Sequence, residues 1–312
     1  MLLRTLLRRA VGLFTLVGAW AGVHAAPCPP PPAMPTAAQL QAAQTQDRGL
    51  LWRLRRDGRT SWLYGTLHVG KLEWMAPGPR VAAALAGSPV LALELDPTDA
   101  GMQQALAAPD ERPLTLSPAL SARLARWVDA ACLPAGAIAH LHPMLQTVVL
   151  SLLEARWIGL DPSFAQEQAL AQAARSAGRR IVSLETVALQ KQALVPADAA
   201  AALLMVDQTL AQLESGTGRQ ILLRLARAWE QGDLGTLENY PAWCDCMRND
   251  DERAAMRALN DDRNPALAAR IEALHHEGKP VFAAVGALHM TGPAALPRLL
   301  AARGFTVEQV VP

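Results

Sequence analysis

The chain has 312 residues, 51% of them hydrophobic, and a formal net charge of +1 at neutral pH. A chain of this length can bury a substantial core, although it is long for one ordinary domain. The near-zero net charge argues against nucleic acid and against an anionic membrane surface as partners.

The first 26 residues have the layout of a secretory signal peptide. Arginines precede an apolar stretch that runs from Val11 to Val23, and the small residues Ala25 and Ala26 follow it. The apolar stretch is shorter than the roughly 20 residues that span a bilayer comfortably. We therefore expect cleavage near residue 26 and export, giving a periplasmic or secreted protein. A membrane-anchored protein is the alternative if this segment is not cleaved.

Residues 27–47 are predicted to form a proline-rich linker, and the folded domain is expected to occupy residues 48–312. Four cysteines lie beyond the predicted cleavage point, and an oxidising compartment could join them in three ways. They are Cys28, Cys132, Cys244 and Cys246. Their spacing does not match zinc or thioredoxin motifs, so we expect structural disulfides, or one disulfide and two free thiols.

A β-hairpin is predicted over residues 50–69, because apolar and polar residues alternate on both sides of an Asp57-Gly58 turn. The second strand of this hairpin leads directly to His68. The next strand signal is the apolar run SPVLALELD at residues 88–96, which ends in carboxylates. The first third of the domain is therefore predicted to contribute three strands.

Helical spacing of Ala and Leu extends from about residue 100 to residue 245, which predicts a helical insertion or cap. Within it, RRIVSLET at residues 179–186 is a predicted strand that ends in Glu185. A helix is predicted over about 247–277, then a buried strand at 279–286, a further helix and the closing strand FTVEQVV. Strands that alternate with helices predict an α/β fold with a central, mainly buried sheet flanked by helices.

Four chemically active side chains fall at or just after the carboxyl ends of predicted strands. They are His68, Glu94, Glu185 and His289. Ligands of open α/β sheets bind at the carboxyl ends of the strands, so we expect these side chains to form a polar cluster there. Two imidazoles with one or more carboxylates suit Zn²⁺, Mn²⁺ or Co²⁺, and such an ion lowers the pKa of bound water to roughly 7.

A structural role is the alternative for each histidine, because a single histidine after a strand is more often hydrogen-bonded than metal-bound. The sequence context favours a shared site. GTLH at residues 65–68 recurs as GALH at residues 286–289, and two unrelated structural histidines would have no reason to share it.

The segments LYGTLHVG, LALELD, GLDPSFAQEQAL, RRIVSLET and AVGALHMTG together resemble the TraB/PrgY/GumN family, which is related to the Tiki metalloproteases. The resemblance extends from about residue 48 to the end of the chain. The two Gly-x-x-His motifs and the intervening glutamate of the family fall on His68, Glu94 and His289. The resemblance to the Tiki branch implies a metal-dependent peptidase assisted by Mn²⁺ or Co²⁺, although other members are described as inhibitors of peptide pheromones.

Arg263 and Asn264 match the Arg-Asn pair of this family. The guanidinium could stabilise an oxyanion and Asn264 could bind substrate, while a buried ion pair from Arg263 to Glu94 or Glu185 is an equal alternative. Glu185 could be a support, a ligand or the general base. Asp161 is expected to cap a helix.

The sequence therefore predicts an exported metallohydrolase that acts on a peptide or protein, with a water molecule activated by a divalent transition metal. The predicted metal ligands are His68, Glu94 and His289, and the predicted catalytic residues are Glu185, Arg263 and Asn264. The alternative function is sequestration of a metal, ligand or peptide without turnover.

Overall fold

The computed structural model describes residues 28, 36–43, 46–108 and 112–311. The predicted signal peptide and much of the predicted linker lie outside these residues. Helix α1 (Ala37–Ala43) occupies part of the segment predicted as a linker.

A six-stranded sheet forms the centre of the molecule. Its strands are β1 (Leu50–Arg56), β2 (Arg59–Thr66), β3 (Val90–Leu93), β4 (Arg180–Ser183), β5 (Val281–Gly286) and β6 (Thr306–Val311). Their spatial order is β4-β3-β5-β2-β1-β6. β4, β3, β5 and β2 are parallel, whereas β1 is antiparallel to both β2 and β6. The carboxyl ends of the four parallel strands therefore lie along one edge of the sheet.

The predicted hairpin is confirmed by the pairing of β1 with β2. Asp57 and Gly58 connect the strands with φ angles of 52° and 71°, and Arg56 pairs with Arg59 across them. Positive φ at both central residues is the signature of the two-residue turn whose twist matches that of the flanking strands.

The two central strands that precede site residues are fully buried. Every residue of β3 has a relative exposure of 2% or less, and residues 281–285 of β5 are 0% exposed. A parallel strand covered on both faces reads as a continuous apolar run, which explains why both strands were recognisable in the sequence. Burying one large side chain such as Phe282 contributes about 1.5–3 kcal/mol.

Helices flank the sheet, which confirms the predicted α/β architecture. They are α2 (Pro79–Ala86), α3 (Ala100–Ala107), α4 (Pro118–Ala130), α5 (Pro143–Leu153), α6 (Gln166–Ser176), α7 (Val187–Leu194), α8 (Ala199–Ser215), α9 (Thr217–Gln231), α10 (Leu234–Glu238), α11 (Tyr240–Trp243), α12 (Asp250–Leu259), α13 (Asn264–His276) and α14 (Leu296–Ala302). Within the described residues, no single helix is long and apolar enough to cross a membrane. Helices α7 and α8 together have the length and apolar composition of a membrane span, but the chain bends by 77° between them.

The helical insertion has a hydrophobic core of its own. Helices α4, α5 and α8 bury an apolar cluster that is separate from the main core around the sheet. It includes Leu124, Met144, Leu150, Leu210 and Leu213. The insertion, α3 to α11, also contains strand β4, so it is connected to the sheet as well as packed above it.

The structure corrects the prediction of one helix over about 247–277. The chain forms two helices there, α12 and α13, and Arg263 lies at the break between them. Pro265 stands in the first turn of α13, where its missing N–H costs no helical hydrogen bond. The break places Arg263 and Asn264 at the start of a helix instead of in the middle of one.

All four cysteines are paired in the structure. Cys28 is joined to Cys132 across a sequence separation of 104 residues, and Cys244 is joined to Cys246. The pairing agrees with the expectation of structural disulfides.

Candidate active site

The side chains predicted to cluster come from four neighbouring strand ends. β2 leads to His68, β3 to Glu94 and β4 to Glu185. β5 runs into a turn of 3-10 helix, Ala287–Met290, that contains His289. Strand order, and not sequence order, therefore makes these residues neighbours.

Glu94 is a buried carboxylate with both oxygens engaged. Its Oε1 accepts a 2.7 Å hydrogen bond from the backbone N–H of Gly286. Its Oε2 accepts bonds from Arg263 Nη2 at 2.6 Å and from Gln190 Nε2 at 3.2 Å. Burial opposes ionisation, but the charges of the two site histidines and of Arg263, with the Gly286 N–H, lower the pKa of Glu94 to about 2.

The repeated glycines of the two histidine motifs permit close contacts at this edge. A Cβ at Gly286 would lie 3.3 Å from Glu94 Oε1, and one at Gly65 would lie 3.3 Å from Ala287 Cα. Glycine leaves room for the carboxylate to reach the backbone of β5 and for β2 to pack against the turn that holds His289, and a side chain at either position would make these neighbours shift by a few tenths of an ångström.

His289 is held in one orientation by Asn264. The ring Nδ1 lies 2.6 Å from Asn264 Oδ1, and Asn264 Nδ2 donates to the carbonyls of Ala294 at 2.9 Å and His289 at 3.3 Å. Nδ1 is therefore the protonated nitrogen, and Nε2 is left as an acceptor 4.0 Å from Glu94 Oε2. Burial lowers the pKa of His289 to about 4, which keeps the ring neutral at pH 7.

Asn264 itself is fully buried, and its amide is used entirely within the protein. It is not among the residues that line the adjacent cavity. The geometry therefore gives Asn264 the role of orienting His289, and a direct contact with substrate has no support in it.

His68 is positioned by a carboxylate that sequence reasoning missed. Its Nδ1 lies 3.1 Å from Glu167 Oε1, which also accepts a 2.6 Å bond from Thr66 Oγ1. The charge of Glu167 raises the pKa of His68 to about 9, against the opposing effect of desolvation. The His68 side chain is 58% exposed, so its Nε2 edge is accessible.

Arg263 forms ion pairs with both Glu94 and Glu185, the two partners proposed for it from the sequence. Its Nη2 donates to Glu94 at 2.6 Å, and its Nε donates to Glu185 Oε2 at 2.9 Å. A further contact joins Nη2 to Glu185 Oε1, and Nη1 donates to the Leu259 carbonyl at 2.8 Å. Arg263 lines the cavity and Glu185 does not, so Glu185 acts as the support that orients the guanidinium.

A cavity of about 560 Å³ opens above these side chains. His68, Glu94, Arg263 and His289 form the polar part of its lining that follows the strand ends, and Ser151, Glu154 and Gln212 add polar groups from the insertion. The exposed surface of the cavity is mostly apolar, and the helical insertion contributes Met144, Val148, Leu152, Leu194, Leu213 and Leu222 to it. Small-molecule and peptide sites commonly have volumes of about 300–1,000 Å³ and this mixture of apolar wall and few polar groups.

A divalent metal ion needs several donor side chains within reach of one point. Within the described part of the chain, no group of three His, Cys, Asp or Glu side chains is close enough together to hold an ion. The chemistry of the donors nevertheless fits. His68 and His289 each have Nδ1 bonded to an oxygen acceptor, which is the usual arrangement of metal-binding histidines, and a bound ion would replace the Nε2 proton that the raised pKa of His68 retains at pH 7. Glu94 supplies a carboxylate beside them.

Hydrogen bonds hold the residues on both sides of His68 against residues 161–166. Gly70 N donates to the Asp161 carbonyl at 3.0 Å, and Asp161 N donates back to the Gly70 carbonyl at 2.9 Å. Gln166 Oε1 accepts from Leu67 N at 2.6 Å. The Asp161 side chain accepts from Ser163 N at 2.7 Å, which confirms its predicted role as a cap.

Replacing Gly70 by alanine is expected to displace this loop. The new Cβ would lie 2.2 Å from the Phe164 carbonyl oxygen, so the backbone on one side must move. We expect a loss of about 1–3 kcal/mol in the free energy of unfolding, measured by chemical denaturation. Gly87→Ala is the matched control, because its Cβ would be 3.5 Å from the nearest atom. Equal stability of the two variants would contradict this packing.

The chain was also compared with known proteins. A family model described as the TraB/PrgY/gumN family matches residues 50–309. This range includes every residue of the site described above. No curated protein and no solved structure matches the chain.

Proposed function

Because the chain belongs to the TraB/PrgY/gumN family, we propose that it is an exported metal-dependent hydrolase that cleaves peptides with a metal-activated water molecule. One observation supports this proposal above the others. Two histidines, each fixed through Nδ1, lie beside the ionised Glu94 at the polar part of a 560 Å³ cavity.

The ion would be held by His68, Glu94 and His289, and it would act as a Lewis acid that lowers the pKa of its bound water to roughly 7. The remaining residues orient the two imidazoles or stabilise the charge that develops on the substrate. Glu167 and Asn264 hold the two imidazoles in place. Arg263 faces the cavity with a positive charge suited to the oxyanion that develops at the scissile carbonyl.

Glu185 is assigned to Arg263 and not to proton transfer. Both of its oxygens are bonded to the guanidinium, which fixes the plane in which Arg263 can donate. The apolar side chains of the insertion form the wall that faces these polar groups and could bind the apolar side chains of a peptide.

Export is proposed from two independent features of the chain. The first 26 residues have the layout of a signal peptide, and disulfides such as Cys28–Cys132 persist in oxidising compartments. The proposed location is periplasmic or secreted, with membrane attachment only if the signal segment is retained.

The proposal predicts metal-dependent turnover of peptides. The purified protein is treated with a chelator, reloaded with Zn²⁺, Mn²⁺ or Co²⁺, and incubated with a mixture of synthetic peptides, and the products are identified by mass spectrometry. We expect cleavage to disappear on chelation and to return with at least one ion. Folded protein that yields no product with any of the three ions would contradict the hydrolase assignment.

Stoichiometric binding without turnover is the second candidate function. The observation that favours it is that both oxygens of Glu94 already accept hydrogen bonds, from Gly286, Arg263 and Gln190. A sequestering protein would retain peptides from the same mixture in a fixed ratio and release them unchanged, so the product analysis separates the two functions.

A further inference from the structure

A second buried carboxylate lines the cavity and has no part in the chemistry proposed above. Glu154 directly follows α5, and its side chain is 2% exposed. Arg219 Nε donates to its Oε1 at 2.7 Å, and the Arg219 guanidinium lies 5.7 Å from the centre of the Trp157 ring. The carboxylate and its partner both belong to the helical insertion, whereas the histidines follow strands of the sheet.

The second oxygen of Glu154 is open to a ligand. Oε2 accepts no hydrogen bond from any residue in the described part of the chain, and Glu154 is among the residues that line the cavity. Gly218 leaves space beside it, because a Cβ at that position would lie 3.0 Å from Oε2. The neighbouring wall is formed by apolar side chains such as Leu152 and Ile221.

A carboxylate oxygen that faces a largely apolar cavity is a strong acceptor for a donor on a bound ligand. Burial raises the pKa of Glu154, and the bond from Arg219 opposes that effect. Arg219 satisfies one oxygen only, and the other accepts no hydrogen bond from a described residue and keeps a small contact with the cavity. A donor on a bound ligand would satisfy Oε2. A hydrogen bond between a cationic donor and a carboxylate is about twice as strong as one between neutral groups.

We propose that Glu154 Oε2 is a binding subsite for a cationic N–H donor of the ligand, best matched by the α-ammonium group of a peptide. An ammonium group has three N–H donors, whereas Glu154 Oε2 accepts no hydrogen bond from a described residue. The apolar wall around it would accept the adjoining side chains. The identification of the ligand as a peptide rests on the proposed function; the chemistry of the subsite does not.

The test compares peptides that differ only at the amino end. A mixture of tetrapeptides, with free or acetylated amino ends, is equilibrated with the whole protein after chelation, so that cleavage does not consume it. Retention is measured by ultrafiltration and mass spectrometry. We expect wild type to retain the free-amine forms about tenfold better, the effect of one charged hydrogen bond. Acetylated peptides that contain lysine distinguish a side-chain cation from the α-ammonium group.

Two variants locate the preference at this oxygen. Glu154→Gln keeps the shape and an acceptor for Arg219 but removes the charge. Gly218→Ala keeps the carboxylate and places a methyl group 3.0 Å from Oε2, and alanine is favoured over glycine within a helix such as α9. Both variants are expected to reduce the preference to about twofold or less. Gly218→Ala leaves the Glu154–Arg219 ion pair in place, so its unfolding temperature is expected to match that of the wild type and its loss of preference cannot be attributed to unfolding.

The outcomes separate this inference from the proposed function. Equal retention of free and acetylated peptides by wild type, an unchanged preference in both variants, or no retention of either form with or without metal would overturn the subsite. A preference that persists in a protein that cleaves nothing would sustain the subsite and refute the hydrolase. Cleavage without any preference for a free amine would support the hydrolase and refute the subsite.

Discussion

Replacing either site histidine by alanine is expected to abolish binding of a divalent ion. Elemental analysis of the purified wild type should find about one transition-metal ion per chain, and less than about a tenth of that in His68→Ala and His289→Ala, since losing even an outer partner of a metal ligand costs about 10–100-fold in affinity. Peptide cleavage should be lost in parallel.

The two variants should differ in stability, and this difference makes the experiment informative. His68 is 58% exposed, so we expect its removal, which breaks a partly exposed ion pair with Glu167, to lower the free energy of unfolding by no more than about 1 kcal/mol. His289 is buried, and its removal leaves the Asn264 Oδ1 without its donor, at a cost of about 1–3 kcal/mol. Loss of metal in the stable His68 variant therefore cannot be attributed to unfolding.

His140→Ala is the matched control, because His140 is exposed and does not line the cavity. It should retain the metal content of the wild type. Two results would contradict the shared site: a wild type that binds no ion after incubation with Zn²⁺, Mn²⁺ or Co²⁺, or a His68 variant that binds as much as wild type.

The strands were predictable because each has a local cause. The Asp57-Gly58 turn defines the hairpin, and continuous apolar runs define β3 and β5. The order of the strands was not predictable, because β5 inserts between β3 and β2 through pairing of residues about 190 to 220 positions apart. That insertion is what brings His289 beside Glu94.

The partners of the site residues were missed for a related reason. Glu167 and Gln190 lie on α6 and α7, and Glu154 follows α5. Their contacts depend on how the insertion packs against the sheet, and no local periodicity reports that packing. The break before α13 did have a signal, since Pro265 after Asn264 is typical of a helix start, yet the apolar spacing continues through it.

The structure also separates residues that the sequence had grouped by role. Arg263 and Asn264 are adjacent, but they begin a helix and face different neighbours. Arg263 turns to Glu94 and the cavity, whereas Asn264 is directed to His289. A short motif can thus contain one group able to meet a ligand and one that only holds a neighbouring side chain in place.

Arg263→Ala is expected to cause the largest loss of stability among the site variants. The guanidinium is the shared cationic partner of Glu94 and Glu185, whose side chains are 8% and 6% exposed. Removing one member of a buried ion pair leaves an uncompensated charge and costs about 3–5 kcal/mol. Denaturant unfolding at pH 7 measures this loss. The surface variant Arg180→Ala, which breaks an exposed ion pair with Glu277, should change stability by less than about 1 kcal/mol.

The pH dependence identifies the cause of the loss. The pKa of Glu94 falls from 4.5 in the unfolded reference to about 2 in the folded protein, so its ionisation stabilises the fold above the unfolded value and ceases to do so as pH falls through the folded value. Without Arg263, Glu94 should take up a proton at higher pH. The deficit of Arg263→Ala should therefore be largest at pH 7 and smaller near about pH 3. A deficit independent of pH would indicate lost packing instead.

Arg263→Lys, which keeps the charge but not the two-sided geometry, should recover part of the stability and little of the activity, because only the guanidinium can contact both carboxylates and still face the cavity.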